Sequence, residues 1–445
     1  MRPNNTRLMI MVLSLVLTPA ALASTWYVNG VSGSNSNNCT SPTTPCKTIG
    51  RAISLAASGD TVTVAAATYT ENLTINIIVK VIGSGANTTI IDGGGVGTVV
   101  KISNTTAHVT LSKLTIRNGN ATSGAGVNNS GTLTLTNSTV SGNLAPIPCI
   151  RSFVFCELRA GTASGGGIYN SGALIISNSI ISGNHAGSYC NGTPCSAFGG
   201  GIYNRGTLMI IKNSTLTGNS AGTACSTSIS CRVGVGGAFY TFGGAVTLNN
   251  STVAGNSAYR CSGVCSGTGG AIVNGSGNLA MNNSTVSGNS AGGIFNDGTA
   301  TLQNSIVANN SDTNCGGTMT SHGYNLSSDG SCAFSNSGDR DNTNPVLGTL
   351  GNYGGPTPTI PLLTGSPAID AGNPSGCTDG HGNLLKTDQP ANRAMTQRTL
   401  AAATSVRLNA KATSLKHATL RRQIPTRSVG RMLLPRPGFF QRYAC

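Results

Sequence analysis

The chain has 445 residues, of which 9% are charged and 4% are aromatic, and its formal net charge is +15. Eleven of its 27 Lys and Arg residues follow Gln389 and two lie in the first ten residues, so residues 24–389 carry 14 basic and 12 acidic side chains. This nearly neutral body argues against nucleic-acid binding through a basic surface. No apolar run reaches the roughly 20 residues that span a bilayer as a helix.

The first 23 residues have the pattern of a signal peptide. Arg2 and Arg7 precede a short apolar run over residues 8–17, and Ala21-Leu22-Ala23 is a small-x-small cleavage pattern. We therefore expect an exported protein whose mature chain begins near Ser24. It would be extracellular or held at a cell surface.

Residues 24–59 are predicted to form an N-terminal cap. Trp26-Tyr27-Val28 is expected to be a short strand, and the following turn-rich loop contains Cys39 and Cys46. After Pro45, apolar residues recur at helical spacing until Gly59, which predicts one amphipathic helix over residues 46–57. Its expected role is to cover the open end of the core, because an uncovered strand edge invites pairing with other chains.

From Asp60 onward, short β-branched runs alternate with turns rich in Gly, Asn and Asp. The predicted strands before the repeats are residues 61–64, 73–77, 79–82 and 89–91. Two phrases then recur. The phrase Asn-Ser-x-x-x-Gly-Asn occupies residues 137–143, 178–184, 213–219, 250–256 and 283–289, with looser copies at 114–119 and 304–310. The phrase Gly-Gly-x-Ile-Tyr-Asn and its variants occupy residues 165–170, 199–204, 236–241, 269–274 and 292–296.

Each repeat offers three strands of about four residues, which predicts an all-β fold and one coil of a parallel β-helix per repeat, spanning residues 60–312. A transmembrane barrel would need strands of about 9–11 residues. Successive Asn-Ser copies lie 41, 35, 37, 33 and 21 residues apart. The shortest interval lacks cysteine and is expected to be a bare coil, whereas the longer ones would carry a loop at one fixed corner.

The fourteen cysteines fit an oxidising compartment. Local disulfides are the simplest interpretation of their close spacing, and zinc sites are the alternative. The expected pairs are Cys39/Cys46, Cys149/Cys156, Cys190/Cys195, Cys225/Cys231, Cys261/Cys265 and Cys315/Cys332.

Asparagine is expected at the corners because it tolerates left-handed backbone angles and its amide can both donate and accept. Stacked coils would place like residues above one another. One predicted ladder contains Asn170, Asn204, Asn274 and Asn296. The other contains Asn143, Asn184, Asn219, Asn256 and Asn289.

These phrases resemble the right-handed parallel β-helix repeats of pectin-lyase-like proteins and the repeats of bacterial polymorphic outer-membrane proteins. Residues 344–348, 354–358 and 365–372 resemble the choice-of-anchor Q domain of bacterial surface proteins. The resemblance implies a C-terminal choice-of-anchor Q-like region over residues 313–389. It also implies a displayed or released bacterial protein, which would be extracellular or held at the bacterial cell surface or outer membrane.

Residues 390–445 depart from that pattern and contain no acidic residue. We interpret them as a basic tail that is non-native, through a reading-frame shift, or disordered. In the frameshift hypothesis Cys377 has lost its partner. The alternative is a genuine basic tail that binds anionic surface polymers.

Candidate catalytic groups are scarce. Glycosidases need paired carboxylates, and lyases need a base with acidic calcium ligands. Residues 100–311 contain only Glu157 and Asp297, about 140 positions apart. Residues 339–343 could form a calcium turn but lack the glycine and later glutamate of a dedicated loop. We therefore assign no catalytic, cofactor-binding or metal-binding residue.

The sequence thus favours an exported, non-catalytic β-helix that acts as an adhesin or binding scaffold for an extracellular polysaccharide or a cell-surface protein. The alternative is a polysaccharide lyase or glycoside hydrolase. Loops on a rigid scaffold usually carry recognition. The loop residues proposed for ligand binding are Tyr189, Phe198, Tyr259 and Arg260, although they could equally serve only to pack the loops onto the helix.

Overall fold

The computed structural model describes residues 22–147, 149–151, 156–158, 162–187, 196–222, 234–259, 270–379, 382–385 and 387–389. The predicted signal peptide, the tips of the long loops and the tail after Gln389 therefore lie outside the described residues, apart from Leu22 and Ala23. No helix among the described residues is long and apolar enough to cross a membrane.

Three long parallel sheets wind into a right-handed parallel β-helix, as predicted. Sheet A contains β1 (Thr25–Val28), β2 (Thr61–Val64), β5 (Val79–Gly83), β8 (His108–Ser112), β11 (Thr132–Thr136), β18 (Ala173–Ser177), β23 (Leu208–Lys212), β28 (Ala245–Asn249), β32 (Asn278–Asn282), β35 (Thr299–Gln303) and β38 (Thr320–Ser321). Sheet B contains β3 (Ala67–Thr70), β6 (Thr89–Asp92), β9 (Thr115–Arg117), β12 (Thr139–Ser141), β19 (Ile180–Ser182), β24 (Thr215–Thr217), β29 (Thr252–Ala254), β33 (Thr285–Ser287), β36 (Ile306–Ala308) and β39 (Leu326–Ser327). Sheet C contains β4 (Leu73–Thr74), β7 (Val100–Ile102), β10 (Val127–Asn129), β17 (Ile168–Asn170), β22 (Ile202–Asn204), β27 (Phe239–Thr241), β31 (Ile272–Asn274), β34 (Ile294–Asn296) and β37 (Cys315–Gly317).

The strands differ in part from those predicted. The strand predicted over residues 73–77 is only β4, and β3 was not predicted at all. The coils also continue past residue 312, because β37, β38 and β39 extend all three sheets to Ser327. A short 3-10 helix, Gly330–Cys332, follows the last coil.

The loops leave one corner of the helix, between sheets B and C, as the repeat spacing predicted. Sheet D lies where the loops begin and contains β13 (Leu144–Ala145), β20 (His185–Ala186), β25 (Ser220–Ala221) and β30 (Ser257–Ala258). Sheet E lies where they return and contains β16 (Thr162–Ser164), β21 (Ser196–Phe198) and β26 (Gly234–Val235). In the first loop, β14 (Cys149–Arg151) and β15 (Cys156–Leu158) form an antiparallel hairpin.

Helix α1 covers the open end but is shorter than predicted, spanning Ile49–Leu55 with Thr48 as its N-cap. It cannot begin at residue 46, because the backbone of Cys46 bonds to Tyr27 of β1 and to Asn29, the residue that follows β1. Ile49 and Ala52 join the main core. That core is continuous from Val28 to Phe334, and it is built from the inward side chains of all three sheets.

Both predicted asparagine ladders are present, and each has further members. The first begins one coil earlier, at Asn129, and runs to Thr241, which replaces asparagine and whose hydroxyl donates to Gly243. It resumes between Asn274 and Asn296. The second continues from Asn289 to Asn310 and Asn314. Along it, the distance from each Nδ2 to the Oδ1 of the next asparagine is 2.9–3.0 Å. A third set, at the corner between sheets A and B, has positive φ angles of 49–50° and contains Asn137, Asn178, Asn213, Asn250, Asn283 and Asn304.

Disulfides join Cys39 to Cys46 and Cys315 to Cys332, as predicted. Cys377 is also disulfide-bonded, so the expectation that it has lost its partner is wrong. The pairs predicted within the four long loops lie outside the described residues or side chains.

The C-terminal segment, which we define as residues 344–389, folds back onto the outer face of sheet B. Leu362 and Ala368 pack against Ile306, Ala308 and Leu326 in a small core separate from the main one. Farther along the helix, the side chain of Gln389 bonds to Ser214, Thr215 and Thr252. The segment therefore covers the later coils of sheet B.

Candidate functional site: an aromatic strip on sheet C

A row of tyrosines lies on the outer face of sheet C. Tyr169, Tyr203 and Tyr240 are the middle residues of β17, β22 and β27, and the register places them directly above one another. In these three-residue strands the flanking residues are buried and the middle one is partly exposed. Since side chains alternate along a strand, the inward isoleucine or phenylalanine and the buried ladder position force each tyrosine outward.

The rings form a continuous surface. Ring centroids are 5.3 Å apart between Tyr169 and Tyr203, and 5.5 Å apart between Tyr203 and Tyr240. Phe198 of β21 contacts the row from the loop side, with centroids 6.0 Å from Tyr203 and 5.3 Å from Tyr240. Phe242, which is 52% exposed, lies 6.5 Å from Tyr240 on the other side. We call these five residues the aromatic strip.

Charged groups lie at the edge of the strip where sheet C turns into sheet A. The guanidinium of Arg205, an exposed residue, lies 5.5 Å from the centroid of Phe242, a cation–π distance. Burial raises the pKa of Tyr240, with a further increase from the negative charge of Asp297, while Arg205 acts in the opposite direction. Burial likewise raises the pKa of Tyr203. Both hydroxyls are therefore protonated at neutral pH and can donate as well as accept hydrogen bonds.

Glycine makes room for the tyrosine hydroxyl at this edge. A Cβ atom built on Gly275 would lie 2.9 Å from the hydroxyl oxygen of Tyr240, too close for a real contact. Along the helix axis, Asn128 and Lys101 precede the row in register, and Val273 and Phe295 follow it. The aromatic strip is thus bounded by a polar end and an apolar end.

The structure brings one of the four predicted binding residues into this site. Phe198 is part of the aromatic strip, whereas Tyr259 is 45% exposed just after β30, where its carbonyl accepts a bond from Gly234. Tyr189 and Arg260 lie outside the described residues. Sequence reasoning missed Tyr169, Tyr203 and Tyr240, although the Ile-Tyr-Asn phrase places each between two inward positions and so contained the signal.

The possible catalytic groups are not assembled into a recognisable centre among the described residues. Asp297 follows β34 and lies beside the aromatic strip. Glu157 lies on the hairpin strand β15, and its side chain is not among those that the structure describes. Asp339, from the possible calcium turn, uses both oxygens to accept bonds from Ser321, Asn325 and Asn336. No group of three or more metal-ligating side chains occurs in the part of the chain that is described.

One titratable pair lies near the bases of the loops. His185 Nδ1 is 2.5 Å from Ser220 Oγ on the outer face of sheet D. Burial lowers the pKa of His185, so its ring is neutral at physiological pH. No acidic side chain is bonded to this pair in the described structure, and we assign it no catalytic role.

Comparison with known proteins finds no matching family model and no matching curated protein. Solved structures that are similar include a pectin methylesterase from Aspergillus niger, at 16% identity over 60% of this chain and 78% of that one, with a TM-score of 0.31. A GH136 lacto-N-biosidase from Eubacterium ramulus is 12% identical over 68% of this chain and 64% of that one, with a TM-score of 0.34. A pectin methylesterase from Erwinia chrysanthemi is 16% identical over 62% and 81%, with a TM-score of 0.28. The resemblance to choice-of-anchor Q and polymorphic outer-membrane proteins stays a prediction.

Proposed function

We propose that this chain is an exported carbohydrate-binding protein that holds a polysaccharide on the aromatic strip without cleaving it. The observation that carries this proposal is the row of three tyrosines, one per coil, flanked by Phe198, Phe242 and Arg205. The disulfides Cys39–Cys46 and Cys315–Cys332 support export, since such bonds persist in oxidising compartments.

The chemistry of the strip suits a sugar polymer. Sugar rings have apolar C–H faces and a rim of hydroxyls, and tyrosine offers an apolar body with a polar tip. Strands of adjacent coils lie about 4.8 Å apart, which is close to the length of one sugar unit in an extended chain. Display at a cell surface, and an adhesive role there, are part of this proposal.

The first test measures binding of the full chain to a panel of plant and bacterial polysaccharides by co-sedimentation and affinity electrophoresis. Tyr203→Ala and Tyr240→Ala are each expected to weaken binding roughly 10-fold, since an aromatic contact contributes about 0.5–1.5 kcal/mol beyond its buried area. Tyr203→Phe separates the ring from its hydroxyl. Tyr353→Ala, which changes a tyrosine of the C-terminal segment, is the matched control and should bind normally.

The same samples distinguish binding from the alternative, a lyase or hydrolase. New reducing ends or unsaturated products from any polymer would overturn the non-catalytic proposal and direct attention to Asp297 and Glu157. Unchanged binding by folded Tyr203→Ala and Tyr240→Ala proteins would contradict the aromatic strip as the site. If Tyr259→Ala alone weakened binding, the loops would be the contact surface instead.

A further inference from the structure

Asp60 is a buried carboxylate at the start of the β-helix. It is 4% exposed and lies immediately before β2. Its Oδ2 accepts bonds from the indole N–H of Trp26 and the backbone N–H of Ala57, each at 2.8 Å, and its Oδ1 accepts from the backbone nitrogen of Ser24 at 2.7 Å. Burial by itself would raise the pKa of Asp60, but the bonds from Trp26, Ser24 and Ala57 together outweigh it and lower the pKa. The side chain is therefore ionised at neutral pH.

Among the described residues, no cationic side chain forms an ion pair with this negative charge. Within the described ranges, the single ion pair joins Arg117 to Asp92, far from Asp60 in the sequence. Buried charges in proteins are usually paired. A carboxylate that receives three N–H bonds but no positive charge is an exception that calls for a physical reason.

Ser24, which supplies the bond to Oδ1, is the residue predicted to follow the signal-peptide cleavage pattern Ala21-Leu22-Ala23. Its carbonyl accepts a bond from Thr61, so it is the first residue tied into sheet A. Leu22 is 93% exposed, and Ala23 and Ser24 are exposed as well. Of the three, Ser24 is the residue whose backbone bonds to Asp60 and Thr61.

We propose that Asp60 is the receptor for the N-terminal ammonium group that export creates at Ser24. Hydrolysis of the Ala23–Ser24 peptide bond by an export protease consumes one water, leaving a carboxylate on Ala23 and an amino group on Ser24. An α-amino group has a pKa of about 8 and is protonated at neutral pH. The neutral amide that bonds to Asp60 Oδ1 in the precursor is then replaced by an ammonium group, and an N–H to carboxylate bond becomes an ion pair.

The consequence is that cleavage at Ser24 increases the stability of the N-terminal end of the β-helix. A charge-assisted bond between two ionised groups is stronger than one from a neutral donor. Asp60 also holds Trp26 and the turn after α1 through Ala57, so the ion pair reinforces the contact between β1, α1 and β2. Cleavage at Ser24 would thus be linked to the stability of the cap.

The test compares two versions of the full mature chain, one starting at Ser24 and one retaining Leu22 and Ala23. Both are released from a fusion by a protease that leaves no extra residue, and thermal unfolding is measured at pH 7. The Ser24 form is expected to unfold a few degrees higher. The same comparison in the Asp60→Asn background should show no difference between the two starts, because the neutral amide cannot form the ion pair.

Equal unfolding temperatures of the two wild-type forms would overturn the proposal, as would a difference that persists with Asp60→Asn. Should the Asp60→Asn chains fail to fold, acetylation of the Ser24 amine replaces them and should remove the gain. Amino-terminal sequencing of the chain exported from a bacterial host supplies an independent measurement. Ser24 is expected as the first residue, and a mature chain that begins elsewhere would contradict the assignment.

Discussion

At the scale of the residue, asparagine has two distinct roles that the sequence alone does not separate. In each Asn-Ser-x-x-x-Gly-Asn phrase the first asparagine adopts a left-handed backbone angle at the corner between sheets A and B. The last asparagine is buried in the second ladder. Asn137 and Asn143 illustrate the difference, because the first is exposed and the second is 1% exposed. In this copy the corner asparagine contributes through its backbone and the ladder asparagine through its amide. In later copies the corner asparagines also bond through their amides, as from Asn250 to Asn213 and from Asn304 to Asn283.

A substitution at the ladder position should destabilise the protein more than one at the corner position. Asn219 is fully buried, donates to Ile181 and Asn256, and accepts from Asn184. Asn219→Ala is expected to lower the free energy of unfolding by about 2–3 kcal/mol, because it leaves buried polar groups without partners. Urea unfolding followed by circular dichroism measures the change.

Asn137, at the corner position of an earlier repeat, provides a matched control. Asn137→Gly removes an exposed side chain at a φ of 50°, an angle that glycine adopts freely, and it should change stability by only a few tenths of a kcal/mol. Equal destabilisation by Asn219→Ala and Asn137→Gly would show that the ladder bonds contribute no net stability.

At the scale of the element, the short strands depend for their stability on hydrogen bonds to neighbouring coils. Isolated strands of three to five residues are not stable, but each one here is hydrogen-bonded to the coil before and the coil after, apart from those at the ends. Helix α1 differs because it covers an end and has a partner on one side. Its first two amides, of Ile49 and Gly50, donate to the two carboxylate oxygens of Glu71 at 2.8 Å.

Glu71 should therefore control the stability of the cap locally. Glu71→Ala removes both bonds and is expected to destabilise α1 by about 1–2 kcal/mol, since a charged partner at a helix N-terminus is worth roughly this much. Hydrogen exchange of residues 49–55 should accelerate, while amides in the central coils should be unaffected. Glu71→Gln, which keeps one acceptor oxygen, should give a smaller effect. Uniform acceleration along the chain would contradict a local role.

At the scale of the whole molecule, the C-terminal segment connects distant parts of the solenoid. Gln389, 7% exposed, donates to the carbonyl of Ser214 and to the hydroxyls of Thr215 and Thr357, and accepts from Thr252. Earlier in the segment, the backbone N–H of Asn373 donates to Asn304 Oδ1. One segment thus joins coils that are otherwise coupled only through their neighbours, as in other solenoids.

Gln389→Ala should release this segment without unfolding the coils. The hydrogen bonds of one buried carboxamide are lost, and we expect the segment to be destabilised by about 2 kcal/mol. Limited proteolysis should then cut residues 344–389 faster, while binding at the aromatic strip on sheet C is unchanged. Gln303→Ala, a glutamine on the outer face of sheet A, is the control. Equal cleavage rates of the two variants would show that Gln389 does not hold the segment.

The sequence by itself determined the architecture, because the repeat is local. Alternating inward residues, corner asparagines and loop spacing follow from the two-residue period of a strand and the stacking of one coil on the next. The predicted ladders from Asn143 to Asn289 and from Asn170 to Asn296 therefore occur, as do the disulfides Cys39–Cys46 and Cys315–Cys332.

Only the tertiary structure decided which residues meet across long separations. The first residue of α1 depended on the bonds of Cys46 to β1, and the position of Gln389 depended on a chain that returns over 170 residues. The aromatic strip joins side chains of successive coils: Tyr169 contacts Tyr203, and Phe198 contacts Tyr240 although the two lie 42 residues apart in the sequence. Local periodicity determines how each coil is built, whereas a surface site and a docked segment depend on how coils, turns and loops pack together in space.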